Sequence, residues 1–72
     1  MEKKIKIIIG SPIEYQELVA YIKINEEYIA LVQKEEGNDK MKVEFFGDTI
    51  SNEIYLDSFL EALKKAKDEL SK

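Results

Sequence analysis

The chain contains no cysteine, no histidine and no arginine. Without cysteine, neither a disulfide framework nor a thiolate zinc site can form, which suits a reducing cytosol. Without histidine the usual proton shuttle near neutral pH is missing, and without arginine so is the planar fork that grips a phosphate or a guanine at two points. Direct nucleic-acid binding is therefore disfavoured. Long apolar runs are lacking as well. The run near the N-terminus extends only from Ile7 to Ile9, too short for the core of a secretory signal or for a membrane span, so it reads as a first strand. No internal repeat, low-complexity tract or linker is visible.

What is present is enough for one compact core. A chain of 72 residues is a single domain, and at this size folding buries roughly 60% of the surface the extended chain exposes, so stability is marginal. Apolar residues make up 44% of the sequence and charged ones 36%, a balance that argues against wholesale disorder. The net charge is −4, but its distribution says more. Residues 1–13 and 62–72 are each basic by +2, whereas residues 14–61 hold twelve acids against four lysines, or −8. A field of that sign steers a basic partner and repels wrong ones.

Along the chain, Ile5, Ile7 and Ile9 alternate with Lys4, Lys6 and Ile8, the pattern of a half-buried strand. Gly10, Ser11 and Pro12 end it. Ser11-Pro12-Ile13-Glu14 has the S-x-x-E spacing of a capping box with proline at the first helical position, a helix-start signal. Period two resumes from Leu18 to Ile24 and predicts a strand there, leaving Ile13 to Glu17 as a turn of helix or a loop. Asn25-Glu26 then serves as a two-residue hairpin turn. Uninterrupted pairing across it sets Ile24 against Glu27, Ile22 against Ile29 and Ala20 against Leu31, on one core side. Val19, Tyr21, Tyr28, Ala30 and Val32 share the opposite side. Glu35 to Asp39 reads as an exposed loop, Met41 to Phe46 as a further strand, Gly47 to Asn52 as a loop, and Glu53 to Tyr55 as a short extended piece. Phe59, Leu63, Ala66 and Leu70 recur at helical spacing, with Asp57 or Ser58 as the cap and Ser58 and Glu61 as a second capping box. The fold class is therefore α+β: an antiparallel meander of about four strands with one C-terminal helix packed on one face.

Chemistry-bearing patterns are sparse. Glu35, Glu36, Asn38 and Asp39 lack the ligand register of a calcium loop. Glu14 and Glu17 share one face if helical, but nothing marks a cleft that would raise one of their pKa values. Ser11 has no base beside it. No catalytic residue, metal or cofactor is expected, and the chain reads as a binding module rather than an enzyme.

A sheet with one helix covers only one of its faces, so the second apolar face is the candidate docking surface. Its tyrosines, Tyr21 and Tyr28, together with Tyr15 and the acids Glu14, Glu17, Glu35, Glu36, Asp39 and Asp48, form the candidate partner-binding set. The run from Gly10 to Ala20 (GSPIEYQELVA), the hairpin through Asn25-Glu26-Glu27-Tyr28-Ile29-Ala30-Leu31, and the segment Leu56-Asp57-Ser58-Phe59-Leu60-Glu61-Ala62-Leu63 resemble small immunity proteins of bacterial contact-dependent growth inhibition systems. The resemblance is to members that guard against tRNA-cleaving toxins. It implies a cytoplasmic inhibitor that binds the C-terminal nuclease domain of a cognate toxin and covers its basic RNA-binding surface. From the residues themselves no direct contact with nucleic acid or membrane is expected, and the free chain is expected to be a monomer or weak dimer. The alternative is a structural module that homodimerises through the second sheet face.

Overall fold

The computed structural model describes residues 4–47 and 53–72. Four strands, β1 (Ile5–Gly10), β2 (Val19–Ile24), β3 (Glu27–Gln33) and β4 (Lys42–Phe45), form an antiparallel sheet in the order β1-β2-β3-β4, followed by the helix α1 (Leu56–Leu70). This is the expected α+β meander with one helix on it. No described helix is long and apolar enough to cross a membrane.

The β2–β3 turn is built as its residues suggest. Asn25 and Glu26 both have positive φ (53° and 69°), the backbone of a two-residue turn whose twist matches the strands it joins. Asn25 also extends the β1 pairing: its N–H donates to the Lys4 carbonyl at 2.8 Å, and its Oδ1 accepts from the Lys4 N–H at 3.0 Å.

Pairing beyond the turn departs from simple alternation. Ile24 faces Glu27 and Lys23 faces Tyr28, but Ile22 faces Ala30, so Ile29 is an extra residue in β3. Such a bulge turns two successive side chains to one side, and both Ile29 and Ala30 join the core. From there every face assignment inverts. Ala30 and Val32 lie under the helix, not on the outer face, and Leu31 faces outward opposite Tyr21. Leu31 is nonetheless only 6% exposed, because the outer face is partly covered as well. Residues Ile29 to Gln33 are consequently buried without a break, as in a strand covered on both faces.

The helix presents Ser58, Ala62, Ala66 and Leu70 to the sheet, four positions at spacing four. Three of them are small, which lets the helix axis sit close to Ala20, Ile22 and Ala30. Phe59 and Leu63 are half-buried on the flank. The helix starts earlier than its S-x-x-E spacing suggests. Tyr55 is the N-cap residue, with no side-chain cap bond, Asp57 lies in the first turn, and Ser58 is buried inside the helix instead of capping it. Glu53 to Tyr55 form no strand and lead directly into α1. At the other end, Lys34 Nζ donates to the Leu70 carbonyl at 2.9 Å, satisfying one of the open carbonyls of the last turn.

The helix backbone lies on β1, β2 and β3 and reaches β4 through the Phe59 ring, which meets Phe45. Val43 and Phe45 on its side of β4 stay exposed, Phe45 at 67%.

Candidate functional site

Residues 11–18 connect β1 to β2 and fold back across the outer face as a strap. Proline fixes the start of a single turn, closed by the Tyr15 N–H on the Pro12 carbonyl at 3.2 Å, and no helix follows. The S-x-x-E spacing at Ser11 to Glu14 is thus not realised as a helix start.

What holds the strap is acid. The carboxylate of Glu35 accepts the N–H groups of Gln16 (3.1 Å) and Glu17 (2.7 Å), two successive backbone donors converging on one anion. The Tyr15 hydroxyl donates to Glu44 at 2.5 Å. The second Glu44 oxygen accepts from Gln33 Nε2 at 3.1 Å, and Gln33 Oε1 accepts the Glu35 N–H at 3.0 Å. One polar network therefore runs from strap to β3 to β4. Within it the Tyr15 phenol is pushed up to about 12, first by its hydrogen bond to Glu44, then by desolvation and by the charges of Glu44 and Glu14.

Beyond the strap the outer face is aromatic. Tyr21 and Phe46 stack at 6.4 Å between centroids and 9° between planes. Tyr28 stands edge-on to both, at 6.1 and 6.4 Å. Lys23 Nζ lies 5.1 Å from the Tyr28 ring centre and 3.4 Å from Glu26. The Tyr21 ring also overlies Gly10, where an added Cβ would meet its Cε2 at 2.8 Å; glycine is what lets the ring lie down.

Two adjoining depressions share Tyr21 and Phe46. One, about 380 Å³, is lined by Ile8, Tyr21, Tyr28 and Phe46. The other, about 310 Å³, runs under the strap and adds Pro12, Glu14, Tyr15 and Glu44. Together they make an open groove with an apolar floor, carboxylates at the strap end, and Lys23 at the hairpin end.

The expected contact residues divide accordingly. Glu14, Tyr15 and Tyr21 meet in the groove, and Tyr28 forms its far wall, 48% exposed. Glu17 lies on the strap with its side chain exposed. Glu35 is a clamp for the strap, and Glu36 is paired with Lys42 at 2.5 Å, which helps hold the lysine charged and raises its pKa. Asp39 is exposed in the loop after β3, outside the groove lining. Asp48 lies outside the described residues.

Phe46, Glu44 and Ile13 join the expected contact residues at this face. Glu44 in β4 and Phe46 just after it share the outer side by simple alternation. Ile13 sits at the tip of the strap turn and is 98% exposed; an isoleucine in a polar stretch was its only mark. Among the described residues no group of three or more acidic, histidine or cysteine side chains is placed to hold a metal ion. No protein-family model, curated protein or solved structure matches the chain.

Proposed function

We propose that this chain is a non-catalytic immunity protein that binds a basic nuclease domain, of the tRNA-cleaving kind its sequence resembles, and covers its RNA-binding surface. The observation that carries the reading is the groove: an aromatic floor open to solvent, bordered at one end by the carboxylates of Glu14 and Glu44. An apolar floor supplies affinity, and exposed tyrosine is a common anchor of protein interfaces. The acidic border orients a cationic segment toward the strap, and the −8 middle segment steers it there. Ile13, Glu14 and Glu17 stand on the strap beside the groove and extend the contact. The strap crosses one end of the face, which leaves room for an inserted segment better than for a flat two-fold seam.

The partner to test is a basic nuclease domain at the C-terminus of a long reading frame adjacent to the gene. Stopped-flow mixing is expected to show association slowing as salt rises, since exposed charges are screened within about 8 Å at physiological ionic strength. Tyr28→Ala is expected to weaken binding by about tenfold or more, mainly through faster dissociation. If the domain still cleaves tRNA in the presence of excess protein, the immunity reading is wrong.

A further inference from the structure

The sheet has two edges, and they are not alike. Among the described residues nothing pairs with the outer edge of β1 or of β4. On β1 the charged side chain is Lys6, with Lys4 just before the strand, and lysines blunt an edge against pairing with a copy of itself. β4 carries both signs, Lys42 and Glu44, and all four of its residues are exposed.

The direction of the free hydrogen-bonding groups on β4 follows from its register. The Phe46 N–H donates to the Ile29 carbonyl at 3.2 Å. With Ala30 opposite Phe45 and Leu31 opposite Glu44, antiparallel alternation turns the N–H and C=O of Lys42, Glu44 and Phe46 toward β3. Those of Met41, Val43 and Phe45 point away from the sheet.

From this we infer that β4 is a self-complementary dimer edge, its occupant a second copy of this chain paired antiparallel about a two-fold axis at Val43. In that register Val43 faces Val43 of the second copy and exchanges both backbone hydrogen bonds with it, as the outward direction of its groups requires. Met41 faces the second copy's Phe45 on the helix side. Lys42 faces the second copy's Glu44 on the outer side, in the closer, non-hydrogen-bonded type of pair. The Lys42–Glu44 pair therefore forms twice, once on each side of the axis, as an isologous contact demands. The Lys42 ammonium has three donors, so it can hold this carboxylate while keeping Glu36. The same pairing on β1, centred on Ile7, sets Lys6 against Ile8 and brings no carboxylate to any lysine.

The helix side supports the same occupant. Phe45 lies 6.0 Å from Phe59, and Leu56 and Leu60 continue that flank of the helix, both exposed. The opposite flank, Lys65, Asp68 and Glu69, lies beside Ile5 and Ile7. An apolar strip of Val43, Phe45, Leu56 and Leu60 thus runs along the β4 side alone. A second copy joined at β4 places its own Phe45 and Met41 over this strip and converts two four-stranded sheets into one of eight. A five-residue seam is below the size of a permanent interface, so the dimer is weak and concentration-dependent.

Sedimentation velocity combined with amide hydrogen exchange tests this on the full chain. The mass is expected to rise from monomer toward dimer as concentration increases to about 1 mM, a range suited to a small interface. Over the same range the Val43 and Phe45 amides gain protection in proportion to the dimer fraction, about twofold when half the chains are paired, whereas in the monomer they face solvent. Val43→Pro removes only an outward N–H, so it is expected to leave the circular dichroism spectrum unchanged while abolishing the dimer. Lys42→Glu opposes like charges and is expected to weaken dimerisation by about fivefold. A monomer at 1 mM overturns the inference, as does a dimer in which Val43 and Phe45 exchange freely, or a polymer protected at Ile5, Ile7 and Ile9. The wild-type exchange pattern decides the matter even if Val43→Pro does not fold.

Discussion

At the scale of single residues, Tyr15 shows how a half-buried group can be held by charge. Its phenol is raised from the ordinary value of 10.0 to about 12, chiefly because the neutral hydroxyl donates to Glu44. A phenolate could not donate, and it would face the charges of Glu44 and Glu14. Because the folded pKa lies above the unfolded one, the tether's contribution is fully present below pH 10 and is lost as the pH rises through 12. Titration of the ultraviolet phenolate absorbance is expected to show a step near pH 12 that disappears in Tyr15→Phe. In Glu44→Gln it moves back toward 10. A step that stays near 12 in Glu44→Gln would show that the hydrogen bond is not its cause.

At the scale of elements, the strap is the segment whose conformation depends most on side chains far away in sequence. Glu35→Gln keeps the size of the clamp but removes its charge and one of the two acceptor oxygens now shared between Gln16 and Glu17. Charge-assisted bonds are the stronger ones, and at an exposed site the expected loss is about 1 kcal/mol. The amides of Gln16 and Glu17 should then exchange faster while those of β2 do not; unchanged exchange at both would mean the strap is held elsewhere. This dependence also explains what could be read from the sequence. The strands, the Asn25-Glu26 turn and the helix are written in local periodicity, and the second apolar face follows from counting one helix against two apolar faces. The bulge at Ile29 was illegible because residues 29–32 are all apolar, so alternation gives no sign of which one is extra. Glu35 was illegible as a clamp because an acid in a polar loop looks like any solvated charge until the chain brings Gln16 and Glu17 to it. The capping boxes failed for the opposite reason. They are local signals, and packing of Ser58 against the sheet and the tethering of Tyr15 overrode them.

At the scale of the whole molecule, the sheet is covered on one side by a helix and on the other, in part, by a strap. The core between them is rich in alanine, with Ala20, Ala30, Ala62 and Ala66 all fully buried. The larger buried side chains, Ile24, Ile29, Leu31, Val32 and Leu70 among them, keep some exposure, and Ile22 and Val19 are the largest that are completely enclosed. A domain of this length has a total stability of about 4 to 11 kcal/mol. Ile22→Ala, which removes methyl groups from a site with little freedom to collapse, is expected to cost about 2 to 5 kcal/mol and so to unfold much of the population. Phe59→Ala, half-buried at the flank, should cost less, and Leu60→Ala, on the exposed flank, within about 0.5 kcal/mol in dilute solution. Urea unfolding with unchanged slopes measures all three. Repeating the Leu60→Ala measurement at high protein concentration separates two causes of any larger effect. A penalty that grows with concentration belongs to the β4 seam, because mass action adds the free energy of association to the folded state. A penalty already present in dilute solution would mean that the helix turns its Leu56 and Leu60 flank toward the sheet, and that the alanine face does not set its docking.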